Sequence, residues 1–338
     1  KARGALAQPP AAQVPQLPDA RGGLPARALH LDVECSMKKI LITAKNGQIG
    51  WELQRTLAIL GDIVAVDRQT MDLSNPDSIR KVIREVKPNI IVNAAAYTAV
   101  DNAESEPELA MAINGVAPGI LAEEAKRLNA AIIDYSTDYV FDGKKAEPYD
   151  EQDIPCPLNV YGKTKLAGER AIQAVGVPHL IFRTSWVYGL RGKNFLLTIL
   201  RLAKEKEELR VVNDQVGAPT SSRMVAGATA LILARFNSPL PPNQPELSEC
   251  AGLYHLIAAG HTTWYGFAQA ILDYHRQANE AGGNAVSRLA KLLPVPTSGY
   301  PTLATRPPNS LLANDKLERM FRLKLPDWRH QLKLTFDV

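Results

Sequence analysis

The stretch Lys38-Lys-Ile-Leu-Ile-Thr43, followed by Ala44-Lys-Asn-Gly47-Gln-Ile-Gly50 and a helical pattern from Trp51 to Leu60, decides the fold. Its first part is a short apolar run, the pattern of a strand buried on both faces of a parallel sheet. The second part is a G-x-x-G-x-x-G loop whose first glycine is Ala44. Such a loop turns backbone N–H groups and a helix N-terminus toward a pyrophosphate. Gly47 allows close backbone approach and Gly50 lets helix pack on strand, whereas alanine at 44 narrows the allowed backbone angles. Ile63-Val-Ala-Val-Asp67 then reads as a second strand, ending in an acid 20 residues after Gly47. A carboxylate there is placed to hold the ribose hydroxyls of a dinucleotide. Arg68, beside it, offers a charge to a 2′-phosphate instead, so NADH and NADPH both stay open.

Strand and helix keep alternating beyond this unit. Ser74-Asn-Pro-Asp77 is a helix start, with cap residues and a proline in the first turn. Ile90–Asn93, Ala131–Ser136 and His179–Arg183 read as further strands. The expected fold is therefore α/β, a Rossmann-type doubly wound parallel sheet. Tyr97, Thr98, Thr137 and Trp186 all follow strand ends, the edge at which such sheets bind ligands. Past Thr184 the alternation weakens. Residues 237–245, rich in proline, read as a loop, Gly252–Ile257 as a strand, and Trp264–His275 as a helix. These parts are expected to form a smaller C-terminal substrate-binding lobe. The division is then 37–185 mainly cofactor-binding and 186–338 mainly lobe, with some segments returning to the core.

Tyr161-Gly-Lys-Thr-Lys165 carries the chemistry. On a helix, residues four apart share a face. An ammonium beside a phenol lowers its pKa and readies it for proton exchange with a carbonyl or alcohol. Thr137, 24 residues before Tyr161, supplies a hydroxyl for the same substrate oxygen. Tyr-x-x-x-Lys alone is a weak signal; the nucleotide loop upstream gives it weight.

Six ordered segments resemble one family: Asn93–Asp101, Ser136–Gly143, Pro157–Glu169, Arg183–Tyr188, Asn213–Thr220 and Arg306–Ser310. From about Met37 onward the chain resembles the dTDP-4-dehydrorhamnose reductases, extended short-chain dehydrogenase/reductases. The resemblance implies reduction of the 4-keto group of dTDP-4-dehydro-6-deoxy-L-mannose to dTDP-L-rhamnose, with NADPH or NADH as cofactor. It implies Thr137, Tyr161 and Lys165 as the catalytic group. Cofactor contacts would come from Gly47, Gln48, Ile49, Asp67, Asp72, Leu73, Ala96, Tyr97 and Thr98, beside Arg68. Sugar-nucleotide contacts would come from Val100, Asp138, Trp186, Arg306 and Asn309. Some members form a magnesium-bridged dimer. Glu52 matches one ligand position, but Arg223 puts a cation where another acid is expected, so no Mg2+ site is expected here.

Two other readings are open, and the first keeps the same triad. A sugar-nucleotide epimerase or dehydratase would recycle its cofactor, but Thr137 is followed by Asp138-Tyr139 and not by the paired acids of a dehydratase. A non-catalytic regulatory subunit would have no need of Thr137, Tyr161 and Lys165. Blander roles are also open for single residues: core packing for Trp186, a turn cap for Asp138, a solvated side chain for Arg306. Asn114 reads as a structural or surface asparagine of a helix, or as the holder of a relay water.

The net charge of +4 is mixed along the chain and shows no basic run, so nucleic acid is not an expected partner. No apolar stretch reaches a membrane span. The three cysteines, Cys35, Cys156 and Cys250, are widely spaced and read as reduced thiols of a cytoplasmic protein, monomer or homodimer. Residues 1–36, rich in Ala, Pro, Gly and Arg, read as a disordered extension or translated leader, with Met37 the natural start.

Overall fold

The computed structural model describes residues 37–236, 246–282 and 289–337. In chain order the first elements are β1 (Lys39–Ile42), α1 (Gln48–Thr56), β2 (Asp62–Ala65), α2 (Pro76–Val86) and β3 (Ile90–Asn93). Then come α3 (Val100–Ala103), α4 (Pro107–Met111), α5 (Ala117–Arg127), β4 (Ala131–Thr137), α6 (Val160–Val175) and β5 (His179–Thr184). After these lie β6 (Val187–Tyr188), α7 (Phe195–Glu205), β7 (Glu208–Val212), β8 (Val216–Gly217), β9 (Thr220–Ser221) and α8 (Ser222–Ala234). The last are β10 (Gly252–His255), β11 (Thr262–Thr263), α9 (Trp264–Ala281), β12 (Lys291–Val295), α10 (Asp315–Phe321) and α11 (Trp328–Phe336).

Six strands form one parallel sheet in the order β10-β5-β4-β3-β1-β2. The chain winds outward from β1 to β2, then returns past β1 to β3, so the topological switch point lies between β1 and β3. Period-two alternation sends residues to opposite faces. Ile40, Ile42, Val92, Ile133, Phe182 and Tyr254 pack with Leu53 of α1, Val225 of α8 and Leu317 of α10. Leu41, Ile91, Ile132, Ile181 and Leu253 pack on the other face with Ile79 of α2, Leu121 of α5 and Ile172 of α6. The strands read as continuous apolar runs because both faces are covered. The helix start in the Ser74 segment is as expected: the Asn75 side chain accepts from the Asp77 and Ser78 N–H groups, and Pro76 opens α2.

A separate apolar cluster holds the lobe, built on Leu196 of α7, Leu209 of β7, Phe267 and Ile271 of α9, and Trp328 of α11. Strands β7 and β12 pair in parallel beneath it. Helix α9 extends to Ala281, beyond the expected end at His275. One expectation is corrected. The strand at Gly252, grouped with the lobe from sequence, is the sixth strand of the main sheet, pairing with β5 from Gly252↔Leu180 to His255↔Arg183. Its row of apolar side chains matched either location, and only the pairing distinguishes them. The loop read over 237–245 and the extension read over 1–36 lie outside the described residues.

Candidate active site

Helix α6 begins where the Asn159 side chain accepts from the Gly162 N–H at 2.8 Å, and ends at Gly176 in the left-handed conformation. Tyr161, Lys165 and Glu169 recur every four residues and share one face. Glu169 takes two hydrogen bonds from the Arg183 guanidinium of β5, at 2.9 and 2.6 Å, and a further one from the Ser136 hydroxyl of β4. The Lys165 ammonium stands 3.6 Å from Asp134 of β4. These contacts clamp α6 across β4 and β5 and hold the Tyr161 phenol at the strand end that carries Thr137. Charged groups in such a buried position persist only when paired.

The Thr137 hydroxyl donates to Asp138 Oδ1 at 3.1 Å and accepts from the Tyr139 N–H at 3.2 Å. Burial pushes the Asp138 carboxyl up to about 6, against the Ser310 and Thr137 hydroxyls. Among the described residues its Oδ2 is buried without a hydrogen-bond partner, an acceptor left for a ligand. Burial also pushes the Tyr161 phenol well above its ordinary range; the Thr137 hydroxyl opposes this, while the Asp138 and Asp134 carboxylates add to it. This corrects the expectation that Lys165 lowers the phenol. The ammonium faces Asp134, whose charge offsets its field at the ring.

The phosphate loop lies at the switch point. A Cβ on Gly50 would come 2.2 Å from the Ala44 carbonyl oxygen, so only glycine lets α1 approach β1 this closely. Ala44 itself sits at φ 52°, in the left-handed region that the family's glycine would occupy freely. A cavity of about 510 Å³ is lined by Gly47, Gln48, Ile49, Thr137, Tyr161 and Trp186, together with Val100 and Asp138. A second, of about 330 Å³, is lined by Asp67, Arg68, Asp72, Leu73 and Tyr97. Ala44, Ala96 and Thr98 line both, so the two join into one elongated cleft. Lys165 lines neither; it is buried, with its ammonium toward Asp134.

This donor set fits a nicotinamide dinucleotide. Loop amides would face a pyrophosphate, and the Asp67 carboxylate would accept from ribose hydroxyls. Sequence reasoning missed Lys45, whose ammonium is 2.9 Å from Asp67 Oδ2 and holds that carboxyl below its usual range. Its signal was a lysine inside the glycine loop, opposite the acid. Arg68 is 73% exposed and reaches Asp72 only at 3.8 Å, so of the two cations Lys45 is the more closely held.

On the opposite side, Trp186 adopts φ 48° and stacks on Trp264 of α9, with ring centroids 3.5 Å apart and planes 9° from parallel. A Cβ on Gly217 would fall 2.4 Å from the Trp186 indole, so glycine is required under the ring. Strained backbone of this kind gathers at ligand clamps. Trp264 was not singled out from sequence, because its helical spacing resembles any amphipathic start. It lines the 510 Å³ cavity and also a third, of about 650 Å³, with Phe195, Leu209, Arg210, Tyr300 and Arg306. The Arg306 guanidinium is paired with Asp101 at 3.0 and 2.7 Å. Asn309 lines none of these cavities; its amide ties down the Lys145 carbonyl at 2.7 Å and the Leu311 N–H at 3.0 Å. Asn114 is buried in a wide helical turn between α4 and α5. Its side chain bonds the Tyr97 N–H and carbonyl at 2.8 and 3.0 Å, and the Thr164 hydroxyl at 3.2 Å.

Glu52 and Arg223 line one small cavity. One carboxylate facing a guanidinium does not fit a magnesium ion, and no cluster of three or more His, Cys, Asp or Glu side chains is found among the described residues. Among these residues no helix is long and apolar enough to cross a membrane.

A family model described as the RmlD substrate binding domain matches residues 37–338. The chain is 48% identical over 296 residues to a dTDP-4-dehydrorhamnose reductase of Burkholderia thailandensis, covering 88% of this chain and 97% of that protein. The chain belongs to the dTDP-4-dehydrorhamnose reductase family. The family's protein from Escherichia coli K12 is 50% identical over 299 residues, covering 87% of this chain and 95% of its own length. A solved family member from Bacillus anthracis, in complex with NADP, superposes with a TM-score of 0.78 at 34% identity, covering 89% of this chain and 99% of its own. A UDP-glucose 4-epimerase of Thermus thermophilus, complexed with NAD, shares the fold at a TM-score of 0.69 and 19% identity, covering 88% of this chain and 98% of its own.

Proposed function

We propose that the chain catalyses NAD(P)H-dependent reduction of the 4-keto group of dTDP-4-dehydro-6-deoxy-L-mannose, giving dTDP-L-rhamnose. The observation that carries this reading is the convergence of Thr137 and Tyr161 on the cavity that also contains the phosphate loop, with Lys165 one turn further along the Tyr161 face of α6. A reduced nicotinamide, when bound, supplies the hydride that adds to C4. Tyr161 gives its phenolic proton to the oxygen that gains the electron pair, and Thr137 holds that oxygen by its hydroxyl. A phenol kept protonated by burial is in the right state for a donor at neutral pH. Lys165 holds the nicotinamide ribose.

Gly47, Gln48 and Ile49 take the pyrophosphate, and Asp67, Arg68, Asp72, Leu73, Ala96, Tyr97 and Thr98 the adenosine end. Val100, Asp138 and Trp186 face the sugar, with the orphan oxygen of Asp138 open to a sugar hydroxyl. Arg306 belongs to the wall of the 650 Å³ cavity, which suits the nucleotide part of the substrate. Residues 37–185 thus serve mainly the cofactor and 186–338 mainly the sugar nucleotide, with α8, β10 and α10 contributing to the core. The enzyme works in the cytoplasm.

Coupled turnover tests the reading. dTDP-glucose, an upstream dehydratase and epimerase, and NADPH or NADH are combined, and absorbance of the reduced cofactor is followed. Sugar-dependent oxidation of the cofactor is expected; none, with the coupling enzymes active, refutes it.

A further inference from the structure

Asp134 interrupts an apolar strand, and nothing in the reaction as described uses it. Along β4, Ile132 faces the α5 and α6 side and Ile133 the other. Asp134 and Ser136 therefore face α6 with Ile132. Asp134 is 2% exposed, and so is Lys165. A carboxylate so placed is costly unless paired. Its Oδ2 faces the Lys165 ammonium at 3.6 Å, and its Oδ1 accepts from Asn93 Nδ2 at 2.6 Å. Asn93 Oδ1 accepts from the Thr43 hydroxyl at 2.8 Å, which accepts from the Ala95 N–H at 3.0 Å. An unbroken chain of polar contacts thus runs from the end of β1, through β3 and β4, to Lys165. The Asn114 side chain is committed to Tyr97 and Thr164.

We propose that Asp134 is a positioning residue for Lys165: its carboxylate anchors the ammonium on the α6 face that carries Tyr161 and offsets its field at the phenol. The other charged or titratable groups around the pair are Tyr161 and Glu169 on α6, Arg183 on β5 and Asp138 beyond β4. Glu169 is neutralised by Arg183. Strand β3 presents only the neutral Asn93, and the turn before α5 only the neutral Asn114. Among the described residues Asp134 is thus the carboxylate within ion-pair distance of Lys165. Without it the ammonium is buried with no counter-charge and loses its proton more readily, and the phenol beside an uncompensated cation does the same.

The kinetic arm of the test rests on the reductase reading; the binding arm does not. In Asp134→Asn the alkaline limb of kcat/KM should move at least one pH unit lower. NADPH affinity, read by cofactor fluorescence without any sugar, should fall at least tenfold between pH 7 and 9, against less than threefold in the native protein. The double variant Asn93→Asp/Asp134→Asn keeps the volume, the hydrogen bond and the net charge while moving the carboxylate away from Lys165. It should melt near the native temperature yet keep the displaced pH dependence. Native-like profiles in Asp134→Asn overturn the proposal. So does a double variant whose profiles return to native, because Asp134 would then serve packing alone; this arm decides if the single variant fails to fold. Absence of sugar turnover in the native protein, with the shift in NADPH binding present, would refute the reductase reading and leave this one standing.

Discussion

Replacing Ala44 by glycine should stabilise the protein, although it removes a side chain and loosens the unfolded chain. Ala44 sits at φ 52°. For a residue with a Cβ, the left-handed conformation costs roughly 1–2 kcal/mol, which glycine does not incur. Against this, glycine gives the unfolded state more freedom, at a cost of roughly 0.4–1 kcal/mol. The difference is a net gain of about 0.5–1 kcal/mol, or a rise of roughly 1–3 °C in Tm for a chain of this size. The turn itself is kept by the backbone, since the Gly47 N–H donates to the Ala44 carbonyl at 2.8 Å whatever the side chain. Urea unfolding of both proteins, fitted with a common slope, measures the change, and NADH affinity should stay within about twofold because the loop geometry is unaltered. A lower midpoint in the glycine variant would refute the reasoning. The methyl group would then stabilise by contacts that outweigh the strain.

Tyr161→Phe keeps the edge contact with Tyr139, at 5.6 Å between centroids, and removes the proton donor. Steady-state kinetics should show kcat down by about 10²-fold or more with cofactor binding preserved; near-normal turnover would exclude Tyr161 as the donor. Lys45→Ala should raise KM for NADPH about tenfold more than for NADH, on the scale of ~1.4 kcal/mol, because it unmasks Asp67 toward a 2′-phosphate. The Arg68→Ala effect should be smaller, and equal effects on the two cofactors would show that neither cation reads the phosphate. His255 is fully buried, and burial with the nearby Arg183 guanidinium pushes it down to about 3, against the opposing backbone groups of Tyr149 and Ala313. The unfolded state therefore binds the extra proton below about pH 6.5, and stability is lost as pH falls from there toward 3, by up to ~1.4 kcal/mol per unit. His255→Leu should flatten that slope in chemical unfolding at pH 4 to 6.5, and parallel curves for the two proteins would contradict it.

Much of this was legible because it is local. Strands buried on both faces announce themselves as apolar runs, and α6 carries its own limits, a capping Asn159 and a left-handed Gly176. The phosphate loop and the Tyr161–Lys165 spacing likewise lie within short windows. What the sequence could not supply is pairing over long distances. That β10 belongs beside β5 is written in no periodicity. Nor is the stacking of Trp186 on Trp264, 78 positions apart. The tyrosine shows the limit most clearly. An ammonium four residues away predicts a lowered phenol, yet burial of the ring raises it, with the Asp138 and Asp134 carboxylates adding to that, and neither the burial nor the facing of β4 toward α6 is written in the local spacing.

The late return of β10 to the sheet has a consequence for synthesis. A growing chain that has completed β5 holds a strand edge with unpaired backbone groups, flanked by Leu180 and Phe182. The strand that covers this edge begins at Gly252, about 70 residues later, after α7, β7 and α8 have been made. At ~5–20 residues per second, translation leaves that edge open for roughly 4–14 seconds, long against the microseconds in which hairpins form. An uncovered edge beside large apolar side chains is a template for pairing with another chain. The vulnerable period in this protein's life is therefore on the ribosome, and a chain arrested between β5 and β10 would carry that edge uncovered.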